Sequence, residues 1–248
     1  MAKSNGLGQQ IFVQGYDLSG DVSALDSIGS PRDQIDVTAI NVSARERIFG
    51  LAGASITVNS WFNDASAQEH AALSGLPTTD RLITYAMGGS IGDAAYGLTA
   101  KQVNYDGSRG TDGSMAFTVN AEANGVAPDW CELLTAGKET HASAGSSSSR
   151  DDGAATSNGL VGILQVVSIA SGTPTVVIEQ SSDNGSSDAW ATVLSFAAVA
   201  DGAEPTAERV TVSGAVERYL RVTTTGTFSN ALIVVATRRG TAQDDVTL

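Results

Sequence analysis

The chain has 248 residues and carries 14 Lys and Arg against 27 Asp and Glu, a formal net charge of −13 with pI ≈ 4.4. That balance argues against nucleic-acid binding by direct contact, which depends on basic side chains neutralising phosphates. With 42% hydrophobic and 17% charged residues and a mean hydropathy of +0.00, the composition is neither that of a disordered chain nor that of a membrane protein. It suffices for one or two folded domains. The 27 Gly and the many Ser, Thr, Val and Asp favour short strands and frequent turns, hence an all-β fold with one short helix.

In chain order, Gln9 to Tyr16 forms an apolar run that ends in a turn at Asp17-Leu18-Ser19-Gly20. Residues 34–40 alternate, which predicts a half-buried strand with Ile35 and Val37 on its inner face. Residues 54–62 alternate again and place Ile56 and Val58 together. Ser66 with Glu69 fits a capping box ahead of a short helix through Ala67, Ala71 and Leu73, stopped by Gly75 and Pro77. Strand character resumes at 81–87, 97–105 and 114–122. Between the last two, residues 106–113 read as a polar, Gly-rich hairpin loop.

Residues 138–158 lose their apolar content and include four consecutive serines, Ser146 to Ser149, which reads as a linker or long exposed loop. Strands follow at 159–167, 175–180, 190–196, 209–212, 219–224 and 231–237, with turn signals at 171–174 and 182–185. The expected organisation is a β domain over 1–137, the linker, and a β-sandwich over 159–248. Both halves are acidic, and no residue-by-residue repeat relates them.

The chemical inventory is sparse. Cys131 is the single cysteine, so an intramolecular disulfide and a Cys-rich zinc site are excluded. It lies beside Trp130, Leu133 and Leu134, which suits a buried, inert thiol. Any His-based centre must use His70, inside the short helix, or His141, at the linker edge, and no hydrolase or zinc motif surrounds either. Asp183, Asn184 and Asp188, like Asp106 and Asp112, lack the spacing of a calcium loop and read as turn residues. Gly6-Leu7-Gly8 lacks the strand-to-helix setting of a phosphate loop. No cofactor, metal or catalytic residue is therefore expected. Trp190, Tyr219 and Phe228 could form an aromatic platform for sugars, or pack inside the sandwich.

One ordered set of motifs goes further. Gly15-Tyr16-Asp17-Leu18-Ser19-Gly20-Asp21-Val22, then Ile35-Asp36-Val37-Thr38-Ala39-Ile40, then the Gly50-Leu51-Ala52-Gly53 turn leading into Ile56-Thr57-Val58 and Trp61-Phe62-Asn63-Asp64, resembles the major tail tube proteins of long-tailed bacteriophages. The likeness runs from residue 9 to about residue 125. It implies a β-barrel or sandwich subunit with a flanking helix, assembling with copies of itself into hexameric rings that stack as a tail tube. A tape-measure protein and DNA would pass through the lumen without specific contacts. The C-terminal region resembles β modules that some of these proteins carry outside the tube. The implied setting is the virion, after synthesis in the host cytoplasm, with no membrane anchor. An acidic subunit suits a conduit that must not hold DNA. The hairpin with Asp106, Gly107, Arg109 and Asp112 is the candidate inter-subunit loop, and residues 1–8 are expected to order against a neighbour. The alternative function is a phage β-sandwich module recognising host-surface glycans.

Overall fold

A computed structural model describes residues 6–241. The chain is 53% strand and 2% helical, in antiparallel sheets, and no sheet closes into a barrel among the described residues. The strands are β1 (Gln10–Val13), β2 (Tyr16–Asp17), β3 (Val22–Gly29), β4 (Arg32–Asp36), β5 (Arg47–Ala52) and β6 (Ser55–Trp61). The helix α1 (Glu69–Leu73) precedes β7 (Arg81–Ala86), β8 (Ala94–Gln102), β9 (Asp106–Arg109), β10 (Met115–Ala123) and β11 (Asp129–Leu133). Then come β12 (Glu139–His141), β13 (Gly145–Ser146), β14 (Arg150–Asp151), β15 (Leu160–Gly172) and β16 (Thr175–Ser181). β17 (Ala191–Ser195), β18 (Thr206–Val212), β19 (Tyr219–Thr225) and β20 (Phe228–Arg239) complete the order.

The chain divides into two compact units, and not at the composition break. One unit holds residues up to 20, 82–97 and everything from 129 onward; the other holds 21–81 and 98–128. The expected linker belongs to the first unit as structure. There β12 pairs with β20, and β13 and β14 pair with β19, with His141 and Arg150 buried. Serine and glycine deplete a segment of apolar area, but backbone hydrogen bonds to a neighbouring strand need no apolar side chain.

In this larger unit β15 and β20 are the central pair, in register from Leu160↔Arg239 to Gly172↔Phe228 with a shift between Val166 and Ser168. β18 flanks β15, and β11 then β8 flank β20. Every residue from 160 to 166 is buried, a continuous run that only a strand covered on both faces can use. Leu160, Leu164, Ile233 and Val235 point to one face and meet Ile178, Leu194 and Val222 of the second sheet, ordered β19-β16-β17. Val161, Ile163, Val234 and Ala236 point to the other and meet Phe12, Leu82 and Ala95. Gly97 fits because a Cβ there would lie 2.2 Å from Ile163 Cδ1.

The smaller unit has the strand order β8-β10-β6-β3, with β9 on β10 and, among the described residues, β4 paired only with β5. Ile56 and Val58 of β6 are buried, as their alternation predicts, with Phe117, Val119 and Ala121 on β10. The capping box is not made. Gln68 is the N-cap residue and gives no side-chain bond, and the Glu69 amide donates to Asp21 Oδ2 at 3.0 Å. The Glu69 carboxylate is wholly buried instead, accepting from Ser60 Oγ (2.8 Å) and Tyr105 Oη (2.9 Å). Two hydroxyl partners distant in sequence, Ser60 and Tyr105, outcompete the local cap, which is available only to a side chain that stays at the helix end.

Candidate functional site

β4 and β5 form a hairpin on which six large apolar side chains are 44% exposed or more among the described residues. The register sets Ile35 opposite Ile48 and Gln34 opposite Phe49. Alternation therefore puts Ile35, Val37 and Ile48 on one face and Phe49 and Leu51 on the other. Phe49 is 66% exposed, Leu51 83% and Ile40, near the tip, fully exposed. The expectation that Ile35 and Val37 are buried is thus corrected: they are 49% and 44% exposed. Gly50-Leu51-Ala52, expected as a turn, lies within β5. Alternation records that one face of a strand is apolar, and it is silent on whether the chain itself supplies the cover.

Local bonds hold this hairpin in shape without a core. Asp36 Oδ1 accepts from the Thr38 amide at 3.0 Å, Thr38 Oγ1 accepts from the Glu46 amide at 2.9 Å, and the Val37 amide donates to Glu46 O at 3.0 Å. The Thr38 hydroxyl and amide hold the Asp36 carboxyl below the usual carboxylate range. At the root the Gly53 amide donates to Pro31 O at 2.8 Å. Arg32, Arg45 and Arg47 balance Asp33, Asp36 and Glu46, so the hairpin is neutral in a chain of net charge −13.

The four residues singled out from sequence lie together on a second, shorter hairpin. Residues 106–109 are strand rather than loop, paired from Asp106↔Thr118 to Met115↔Arg109, and the turn tightens to 110–114. Gly107 leaves room for the Phe117 ring, since a Cβ there would approach Phe117 Cε1 to 2.6 Å. Asp112 accepts from the Ser114 amide (3.0 Å) and hydroxyl (2.7 Å), which together hold its carboxyl below the usual range. All of β9 is exposed, and among the described residues it pairs with β10 alone. Its outer edge is open to a further strand.

The titratable residues weighed from sequence serve packing. His70 Nδ1 lies 3.0 Å from Tyr105 Oη, and its ring meets Phe62 edge-on at 5.1 Å. Tyr105 is pushed far above its ordinary value by burial and by the Glu69 carboxylate beside it. Cys131 is buried, and burial raises its thiol well beyond the reactive range. Asp183 accepts the Ser186, Ser187 and Asp188 amides, the turn role expected of it. The aromatic platform is divided: Phe228 is core, while half-buried Trp190 lies under the Arg221 guanidinium at 4.3 Å.

The sequence matches no known family model and no curated protein. Among solved structures, the chain is 16% identical to a protein in the virion of a native gene transfer agent particle, over 52% of this chain and 98% of that one, at a TM-score of 0.44. A protein in the C6-symmetric tail of the empty gene transfer agent particle is 18% identical over the same shares, at a TM-score of 0.42. The Dit (gp 19.1) protein of phage SPP1 is 12% identical over 93% of this chain and 98% of that one, at a TM-score of 0.33.

Proposed function

We propose that the chain is a structural subunit of a phage tail, associating with copies of itself into hexameric rings that stack as the tail tube, and that it has no catalytic role. The observation that carries this reading is the β4–β5 hairpin. Six large apolar side chains, Ile35, Val37, Ile40, Ile48, Phe49 and Leu51, are exposed on it. A hairpin apolar on both faces gains its burial energy only inside another molecule, at roughly 25 cal/mol per Å² covered. The order of motifs from Gly15 to Asp64 supports a tail tube subunit as the identity of that assembly. The charge of −13 supports a lumen through which a tape-measure protein and DNA pass without being held.

The test is negative-stain electron microscopy of the full chain at rising concentration, beside the double variant Phe49→Asp, Leu51→Asp. Hollow tubes or rings from the parent chain and dispersed monomers from the variant are expected. A parent chain that stays monomeric at every concentration would remove the assembly reading.

A further inference from the structure

Within the larger unit lies a concave site that the assembly reading does not use. It is a cavity of about 420 Å³ lined by Trp130 and Glu132 of β11, Arg150 to Asp152 at β14, and the end of β20 from Thr237 to Arg239. That volume falls within the range of small-molecule sites, about 300–1,000 Å³. Three properties define what it accepts.

The first is a fixed aromatic face. Alternation along β11 buries Asp129, Cys131 and Leu133 and turns Trp130 and Glu132 outward. Trp130 is 51% exposed, yet wholly buried Tyr96, its cross-strand partner, meets it edge-on at 5.0 Å and 66°. A large ring held by a buried aromatic neighbour and half exposed offers a surface for stacking.

The second is a rigid polar floor. Arg150, 7% exposed, donates to Asp152 through Nε (2.6 Å) and Nη2 (3.2 Å), to the Glu132 and Leu133 carbonyls through Nη1, and to Thr237 Oγ1 (2.9 Å). Arg239 Nη1 lies 3.2 Å from the same Asp152 carboxylate, and Arg238 Nε donates to Asp129 at 2.8 Å. With its five N–H groups committed to these acceptors, the Arg150 guanidinium braces the floor, so that β11, β14 and β20 hold the rim side chains Trp130, Glu132 and Asp151 in place.

The third is local neutrality. Three arginines and three carboxylates line the cavity, inside a chain of net charge −13. The most exposed charges are acidic: Glu132 is 57% exposed and Asp151, paired with Arg218 at 2.6 Å, is 42% exposed. An anion would meet those carboxylates before it reached arginines that are already paired.

We infer that this cavity binds a neutral pyranose saccharide, one ring face stacked on Trp130 and its hydroxyls donating to the Glu132 and Asp151 carboxylates at the rim. A sugar ring offers an apolar C–H face for the indole together with hydroxyls that donate to carboxylates, which matches an exposed indole beside two exposed carboxylates in a lining of no net charge. The saccharide can be free or part of a cell-surface polymer.

The experiment is calorimetric titration of the full chain with cellobiose, lactose and N,N′-diacetylchitobiose, with sodium glucuronate and inorganic phosphate as charged comparators and a solubilised cell-wall polysaccharide as the polymeric arm. At least one neutral disaccharide is expected to bind, and Trp130→Ala to weaken it by about tenfold or more, the loss of one aromatic contact. Glu132→Gln is expected to weaken it several-fold, and Trp190→Ala to leave it unchanged. Binding of the polysaccharide but of no disaccharide would assign the site to a polymer with an extended footprint, provided Trp130→Ala abolishes it. The proposal is overturned if no neutral saccharide binds in either arm, if phosphate or glucuronate binds more tightly, or if Trp190→Ala and not Trp130→Ala removes binding. Thermal melts of each variant show that the fold is intact. Tube formation is scored on the same preparations, so assembly without sugar binding rejects this inference alone.

Discussion

Gln165 shows how a single polar side chain organises the interior of the larger unit. It is wholly buried in β15, yet its Oε1 accepts from the Gly15 amide at 2.6 Å, and its Nε2 donates to Leu82 O (3.0 Å) and Thr84 Oγ1 (2.9 Å). Gly15 is there because the backbone needs φ +86 and because a Cβ would lie 2.3 Å from Thr206 N. Gln165→Leu keeps the volume and orphans those partners, so it is expected to destabilise the chain by about 1–3 kcal/mol in urea unfolding. An unchanged midpoint would mean that water reaches the vacated groups. His141 gives a pH signature at the same scale. Burial lowers its imidazole below the ordinary value despite the Glu139 carboxylate 3.5 Å away, so the folded state resists protonation. The unfolded chain then binds the extra proton first, and stability from this residue is complete above about pH 6.5 and declines as pH falls below it. Thermal melts between pH 7.5 and 5 are expected to show that loss in the parent chain and a flatter profile in His141→Gln. Neither role is legible in sequence: a lone glutamine in an apolar run and a histidine in a serine-rich stretch show their partners, from Gly15 to Thr224 in the chain, only once the strands are paired.

At the scale of elements, composition and alternation identify what a strand is made of and leave open what it packs against. β6, β7, β10, β16 and β19 fall where their patterns place them, because each buries its apolar face in its own unit. β4 carries the same alternating signal as β6 and is exposed throughout. β3 and β5 leave no clear signal of their own, since both take their pairing from a partner rather than from buried side chains: burial in them is intermediate or absent. The same reasoning explains why residues 138–158, which form β12, β13 and β14, read from sequence as a linker or exposed loop, and why the segment with Asp106, Gly107, Arg109 and Asp112 reads as a hairpin loop and not as strand. A separation of roles follows for the two kinds of apolar residue. Leu164→Ala, in the doubly covered β15, is expected to lower unfolding stability by about 2–5 kcal/mol. Phe49→Asp, in the bare β5, is expected to leave the melting curve within about 0.5 kcal/mol of the parent while raising the concentration needed for assembly by tenfold or more, as about 1.5–3 kcal/mol of buried aromatic is lost at each contact. Sedimentation velocity beside chemical denaturation separates the two effects. A Phe49→Asp chain that unfolds early would place that ring in the fold rather than at an interface.

For the whole molecule, charge sets the terms of the proposed assembly. Every copy carries −13, while the hairpin proposed to supply the apolar contact is neutral, with its Arg32, Arg45 and Arg47 offset by Asp33, Asp36 and Glu46. In the proposed assembly the opposing contributions would come from different regions: burial of Phe49, Leu51 and their neighbours would draw copies together, and the remaining acidic surface would drive them apart. Salt acts on one of these terms far more than on the other. The Debye length shortens from about 30 Å at 0.01 M to about 8 Å at 0.15 M, which removes most of the repulsion between exposed carboxylates and leaves apolar burial intact. Assembly of the full chain is accordingly expected to begin at a lower protein concentration as sodium chloride rises across that range, measured by light scattering and by pelleting at fixed temperature and pH. Assembly that weakens with added salt would mean that oppositely charged surfaces, rather than the apolar hairpin, hold the copies together, and the hairpin variants would then lose their predicted effect.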